Sequence, residues 1–245
     1  MEEKFIIVTG AYGGLGKEIC KALCEDYSLI LIDKEENKEF TEELREISSR
    51  RIICFKIDFL TSENLKLLTD FLTEENLLIK GVILAAGIMK KGKLENTSLE
   101  DWDETIKVNL TSNFVLCKAI IPFLKKQRAG SIIFIGSVLG KVASYDLFVY
   151  SVTKAALVHF SKNLALELMD YGISVNCISP GFMDTTMYSE FSKNNDLNRN
   201  WFHLFGGLKN KTIEIEDVIK TIDLLLKQKS MSGENIIIDY GYSIR

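Results

Sequence analysis

Short apolar runs alternate with amphipathic stretches along almost the whole 245-residue chain. FIIV (5–8), LILI (29–32), IICFKI (52–57), VILAA (82–86), SIIFIG (131–136), ISVNCI (173–178) and NIIID (235–239) are nearly continuous in their apolarity. Runs of that length without alternation are expected of strands covered by helices on both faces. Between them, apolar residues at helical spacing predict helices over roughly 14–25, 38–48, 62–73, 99–126, 150–170 and 214–229. Gly172 stands where the fifth helix needs a C-cap. The order predicts an α/β protein of Rossmann type, with a doubly wound, seven-stranded parallel sheet and helices on both faces. One domain spans 1–245, with neither an internal repeat nor a low-complexity linker. The segment 184–212 breaks the rhythm: it is long and by turns polar and aromatic, as a substrate lid would be. In such sheets ligands bind beyond the carboxyl ends of the strands, at the switch point, and the search for chemistry starts there.

Composition narrows the function classes. Apolar content of 47% and charged content of 26% are ordinary for a globular protein. A net charge of −4 gives no reason to expect a nucleic acid or an anionic membrane as partner. MEEKFIIVTG lacks the basic and apolar regions of a signal peptide, and no apolar run approaches the ~20 residues of a membrane span, so a cytoplasmic location is expected. Cys20, Cys24, Cys54, Cys117 and Cys177 are scattered without a CxxC pair and read as buried free thiols, with no metal site.

The first predicted strand ends in Thr9-Gly10-Ala11-Tyr12-Gly13-Gly14-Leu15-Gly16 and a helix follows. Glycines there let backbone N–H groups approach a pyrophosphate at the helix N-terminus. Asp33 closes the second strand, 23 residues past Gly10, where a carboxylate accepts from ribose hydroxyls and repels a 2′-phosphate. Asp58 and Phe59 follow the third strand, with Asp58 placed to touch the adenine amino group. In YSVTK, Tyr150 and Lys154 stand one helical turn apart on one face. Alone, such a pair is as well read as surface decoration. In a cleft it becomes a tyrosine with a labile proton, because a nearby cation favours the phenolate.

The glycine spacing TGxxxGxG resembles that of the short-chain dehydrogenase/reductase family, in its compact single-domain branch, and the resemblance runs along nearly the entire chain. Leu84-Ala85-Ala86-Gly87 stands where that family has Asn-Asn-Ala-Gly or Asn-Ala-Ala-Gly. Asn109, Ser137 and the Tyr150–Lys154 pair match its catalytic residues, with the usual 13-residue step from Ser137 to Tyr150. Pro180, Gly181, Met183 and Thr185 fall in the segment that cradles the nicotinamide amide, and Ser232-Gly233 with Asp239-Tyr240-Gly241 resembles the closing strand. Two positions depart: Leu84 cannot donate the hydrogen bonds of the usual asparagine, and Tyr12 replaces a common serine in the phosphate loop.

The resemblance implies an oxidoreductase that interconverts a secondary alcohol and a ketone with NAD, NADP being the less favoured cofactor. Tyr150 would exchange the substrate proton, Ser137 would hold the substrate oxygen, and Lys154 would bind the nicotinamide ribose and lower the Tyr150 pKa. Asn109 would kink its helix and hold a water leading to solvent, and Ala86, Gly87, Tyr150 and Lys154 would contact the cofactor. A small-molecule substrate and a homotetramer complete the expectation. Two alternatives stay open: an NADPH-dependent 3-oxoacyl-carrier-protein-type reductase, and a non-catalytic dinucleotide-binding sensor. Lys34 beside Asp33 bears on the first. His159 falls on the helix face away from Tyr150, and His203 lies in the lid with the aromatics Tyr188, Phe191, Trp201, Phe202 and Phe205. Those aromatics suit a partly apolar pocket cover or packing of the lid on the body.

Overall fold

The protein is described from a computed structural model over residues 3–61, 64–185 and 212–244. The apolar runs form strands β1 (Lys4–Thr9), β2 (Ser28–Asp33), β3 (Ile52–Lys56), β4 (Leu78–Leu84), β5 (Gly130–Ile135), β6 (Ile173–Pro180) and β7 (Asn235–Ile238). They pair in parallel in the order β3-β2-β1-β4-β5-β6-β7. β4 starts four residues ahead of the predicted run, because Lys80 interrupts its apolarity. The pairing steps from Phe5↔Ile79 to Ile6↔Gly81, so Lys80 is the extra residue of a bulge.

Helices α1 (Gly14–Leu23), α2 (Lys38–Ile47), α3 (Leu65–Glu75), α4 (Leu99–Ile106), α5 (Ser112–Gln127), α6 (Phe148–Leu168) and α7 (Ile215–Lys227) cover the sheet. The single helix expected over 99–126 is divided by a π-helical turn, Lys107–Thr111, with Asn109 at its middle. There the Ser112 N–H reaches back five residues to the Lys107 carbonyl. Gly172 adopts φ +68° and ends the short 3-10 turn after α6, as a C-cap glycine should.

Alternate residues of the central strands enter opposite cores, which is why their apolarity is continuous. Phe5 and Ile7 join Leu116, Phe134, Leu157 and Leu168 on one face. Ile6 and Val8 join Ile19, Leu29, Leu31 and Leu225 on the other. Each buried aliphatic side chain contributes about 1.5–3 kcal/mol, and this two-sided burial fixes the register of the strand ends. β1 has β2 on one side and β4 on the other, so the chain reverses its winding there and a crevice opens beyond the strand ends. The lid expected at 184–212, His203 included, falls almost wholly outside the described residues. Of the cysteines, Cys54 on the edge strand β3 is exposed, against the expectation of burial, and the other four are buried.

Candidate active site

The glycine loop turns as tightly as its sequence requires. Gly10 sits at φ +64°, and a Cβ on it would lie 2.8 Å from the Ala86 Cα. A Cβ on Gly16 would fall 2.0 Å from the Gly10 carbonyl oxygen, so α1 springs directly from the turn. Gly13 is the N-cap of α1 and brings no capping side chain, so the helix N-terminus keeps first-turn donors for an anion.

Side chains then lock this loop to its neighbours. The Thr9 hydroxyl accepts from both Ala85 N–H and Ala86 N–H, each at 3.1 Å. The Asn109 amide accepts from Ile88 N–H at 2.8 Å and donates to the Ile88 carbonyl at 2.9 Å. The segment after β4 is thereby held at both ends, and Leu84 is free to serve the apolar core, where it is 2% exposed. Asp33 accepts from the Tyr12 N–H at 3.0 Å and the Lys34 N–H at 2.8 Å, which aims its carboxylate at the mouth of the crevice. Tyr12 meets Asp33 through its backbone. Its phenol pairs with the Thr41 hydroxyl at 3.2 Å and its ring packs edge-on against Phe40, with burial pushing its pKa up.

A cavity of about 450 Å³ runs from Asp33, Asp58 and Phe59 past Gly10 to Gly16, Ala86 and Gly87, and reaches Tyr150, Lys154, Met183 and Thr185. Two expected contacts lie elsewhere: Gly181 lines a smaller adjoining cavity, and Pro180 is buried at the end of β6, on neither wall. Asn109 is likewise behind the wall, fully buried, and acts through what it holds. Glu104 and Val108 line the cavity without any signal in the sequence. Thr153 was equally silent; its hydroxyl accepts from the Asn109 amide at 3.1 Å and donates to the Tyr150 carbonyl at 2.8 Å.

Ser137, Tyr150 and Lys154 converge where the two cavities meet. Tyr150 lines both, Lys154 the larger and Ser137 the smaller. The Ser137 hydroxyl acts on the phenol, lowering its pKa, and accepts from Leu139 N–H at 3.2 Å. The Lys154 ammonium donates to the Ile135 carbonyl at 2.8 Å and lies 5.5 Å from the centroid of the Tyr150 ring. A Cβ on Gly87 would come within 3.7 Å of it. Burial raises the Tyr150 pKa to about 12, against a smaller lowering from Ser137. Burial also holds Lys154 down to about 8. A lowering of the phenol by its lysine neighbour was expected, and the net shift is upward, with desolvation of the phenolate as its largest cause. At neutral pH this site presents a protonated phenol and an ammonium at its threshold of deprotonation. The arrangement suits donation of a proton to an oxygen held by Ser137. His159 is exposed on α6, away from these groups.

Comparison with known proteins bears on this geometry. The family described as short chain dehydrogenase matches residues 4–196. The 3-oxoacyl-acyl-carrier-protein reductase of Buchnera aphidicola subsp. Schizaphis graminum is 29% identical over 243 residues, 98% of each chain. Its Escherichia coli K12 counterpart is 32% identical over 190 residues, 76% of each chain. Among solved structures, a 4-hydroxyisoleucine dehydrogenase complexed with NADH superposes with a TM-score of 0.89 at 26% identity, covering 99% of this chain and 100% of that one.

Proposed function

Since the chain belongs to the short-chain dehydrogenase/reductase family and is an oxidoreductase of that family, we propose that it interconverts a secondary alcohol and a ketone with NAD(H). The observation that carries this reading is the meeting of Tyr150, Ser137 and Lys154 at the end of a cavity that begins at the glycine loop. The residues fit a dinucleotide: Cβ-free positions at Gly10 and Gly16, a helix N-terminus without a capping side chain, and a carboxylate fixed at the far mouth. When bound, the nicotinamide supplies or accepts the hydride. The chain's own part is proton transfer and orientation. In reduction the Tyr150 hydroxyl gives its proton to the carbonyl oxygen, which the Ser137 hydroxyl holds; in oxidation the proton returns. Asp33 would hold ribose hydroxyls at one end of the dinucleotide and Lys154 at the other. Asn109 orients the segment after β4 and, through Thr153, the first turn of α6.

The second reading is an NADPH-dependent 3-oxoacyl-carrier-protein-type reductase. It is favoured by the names of the relatives and by Lys34, which lines the cavity mouth beside Asp33. A panel of ketones and alcohols followed by nicotinamide absorbance, with each cofactor, separates the readings. We expect NADH oxidation with simple ketones at a kcat/KM above that with NADPH. A preference for NADPH with activity confined to 3-oxoacyl thioesters would favour the second. Cofactor binding without turnover of any substrate would leave a binding sensor.

We place the protein in the cytoplasm as a homotetramer. Phe114 on α5 and Leu166 on α6 are 53% and 68% exposed, and Phe148 and Val152 add to the apolar surface of α6. Sedimentation at micromolar concentration should give about four times the 27.8 kDa chain mass. A monomer alone would contradict it.

A further inference from the structure

The smaller cavity, about 80 Å³, opens beside Ser137 and Tyr150 on the side away from the glycine loop. Its wall is built from Met89, Val138, Leu139, Leu147 and Phe182, and its polar atoms include the hydroxyls of Ser137, Tyr150 and Thr185. Among the described residues no charged side chain lines it. Three cations near it are engaged elsewhere. Lys90 pairs with Glu104 at 2.9 Å and Asp101 at 3.5 Å, Lys141 reaches the Ser243 hydroxyl at 3.4 Å, and Lys154 points to the Ile135 carbonyl. Three backbone donors of the wall are committed: Leu139 N–H to the Ser137 hydroxyl, Gly181 N–H to the Ile238 carbonyl and Thr185 N–H to the Met183 carbonyl. Among the described residues, no charged side chain is placed to pair with an anion seated here.

The wall is also stiff. Val138, Leu139 and Leu147 are buried and pack with Ile237 and Tyr242. Tyr242 meets Phe182 edge-on at 5.6 Å, and Leu147 is bridged to Gly92. Such a pocket selects by shape and by the absence of charge.

We infer that the substrate is a ketone or secondary alcohol whose inner substituent is uncharged and aliphatic, about three to five heavy atoms long, seated against Met89, Leu139 and Leu147. Any charged or bulky part belongs to the outer substituent. This rests on the proposed role of Ser137 and Tyr150 in holding the carbonyl oxygen.

Symmetrical ketones test it, because one arm must enter the pocket whichever way they bind. Binding of 4-heptanone and 4-oxoheptanedioate to the protein saturated with NADH is measured by calorimetry, and reduction of each by absorbance. The dianion should bind at least ~30-fold more weakly, the cost of desolvating a carboxylate without a partner. Among neutral ketones, affinity should rise about fourfold from ethyl to propyl arms and fall once an arm exceeds about five carbons. Met89→Arg should narrow the gap by bringing a cation to the pocket. Equal or tighter binding of the dianion to the wild type overturns the inference, as does failure of both ketones to bind. Selective binding without reduction would sustain the pocket's chemistry and contradict the proposed reaction, whereas reduction without selectivity would do the reverse.

Discussion

At the glycine-loop end the large cavity is walled mainly by backbone, whereas at the Tyr150 end it is walled by buried side chains. Gly10, Gly13, Gly14 and Gly16 contribute only main chain, and even Asp33 is aimed by two N–H groups. Tyr150 and Lys154 are 9% and 5% exposed, with proton affinities displaced by desolvation. A backbone wall tolerates side-chain replacement if the turn survives, and so Tyr12 stands where a serine is common without disturbing the loop. A wall of buried ionisable groups tolerates little and costs stability, because each is kept from water for the sake of its proton.

Removing the ammonium should separate these two ends most sharply. Lys154→Met is expected to cut turnover on the order of 10²–10⁴-fold while raising stability at pH 7. In the folded protein Lys154 titrates at about 8 rather than 10.5. Between those values the unfolded chain binds the extra proton, so wild-type stability should rise with pH across that window, by up to ~3 kcal/mol. The variant should lack that rise. Denaturant unfolding at pH 7, 8, 9 and 10 checks it, and parallel curves for the two proteins would contradict the buried ammonium.

Asp33→Ala acts at the other end, where recognition rather than chemistry is at stake. A carboxylate accepting from ribose hydroxyls and repelling a 2′-phosphate is worth ~2–3 kcal/mol, or roughly 30- to 150-fold in favour of NAD(H). The substitution should move the ratio of kcat/KM for the two cofactors toward unity. An unchanged ratio would remove Asp33 from the account.

Gly16→Ala should weaken cofactor binding about 10- to 100-fold, since its Cβ would meet the Gly10 carbonyl at 2.0 Å. Fluorescence titration with NADH measures this. Tyr12→Phe should have the smallest effect: loss of ~1 kcal/mol of stability with the Thr41 hydrogen bond, and an NADH affinity within about twofold of wild type, because only the Tyr12 N–H faces Asp33.

The same contrast explains what the sequence disclosed. Strand positions were legible because two-sided burial leaves continuous apolar runs, and β4 was truncated because Lys80 sits in a bulge that no run can announce. The glycine loop, Asp33, Ser137, Tyr150 and Lys154 were legible because fixed spacings place them at strand ends and one helix turn apart. Asn109 and an irregularity in its helix were expected from the motif, and the π-helical turn lies there. Its bonds to Ile88 and Thr153 were not legible, because they join segments 21 and 44 residues away. The sign of the Tyr150 shift was also out of reach, since proximity to a lysine is visible in sequence and desolvation is not. Pro180 fell outside the wall because a strand end can be read from sequence more readily than the side on which its last residue packs.

Tyr150 is the proton-exchanging group of the proposed reaction. The most direct test is Tyr150→Phe, with NADH affinity and ketone reduction measured on the same preparation. The phenyl ring keeps the packing against Val138, Leu139 and Leu147 and removes only the hydroxyl that meets Ser137. NADH should bind within about twofold of wild type while kcat falls on the order of 10²–10⁴-fold. A variant that reduces ketones at more than a tenth of the wild-type rate would contradict the assignment.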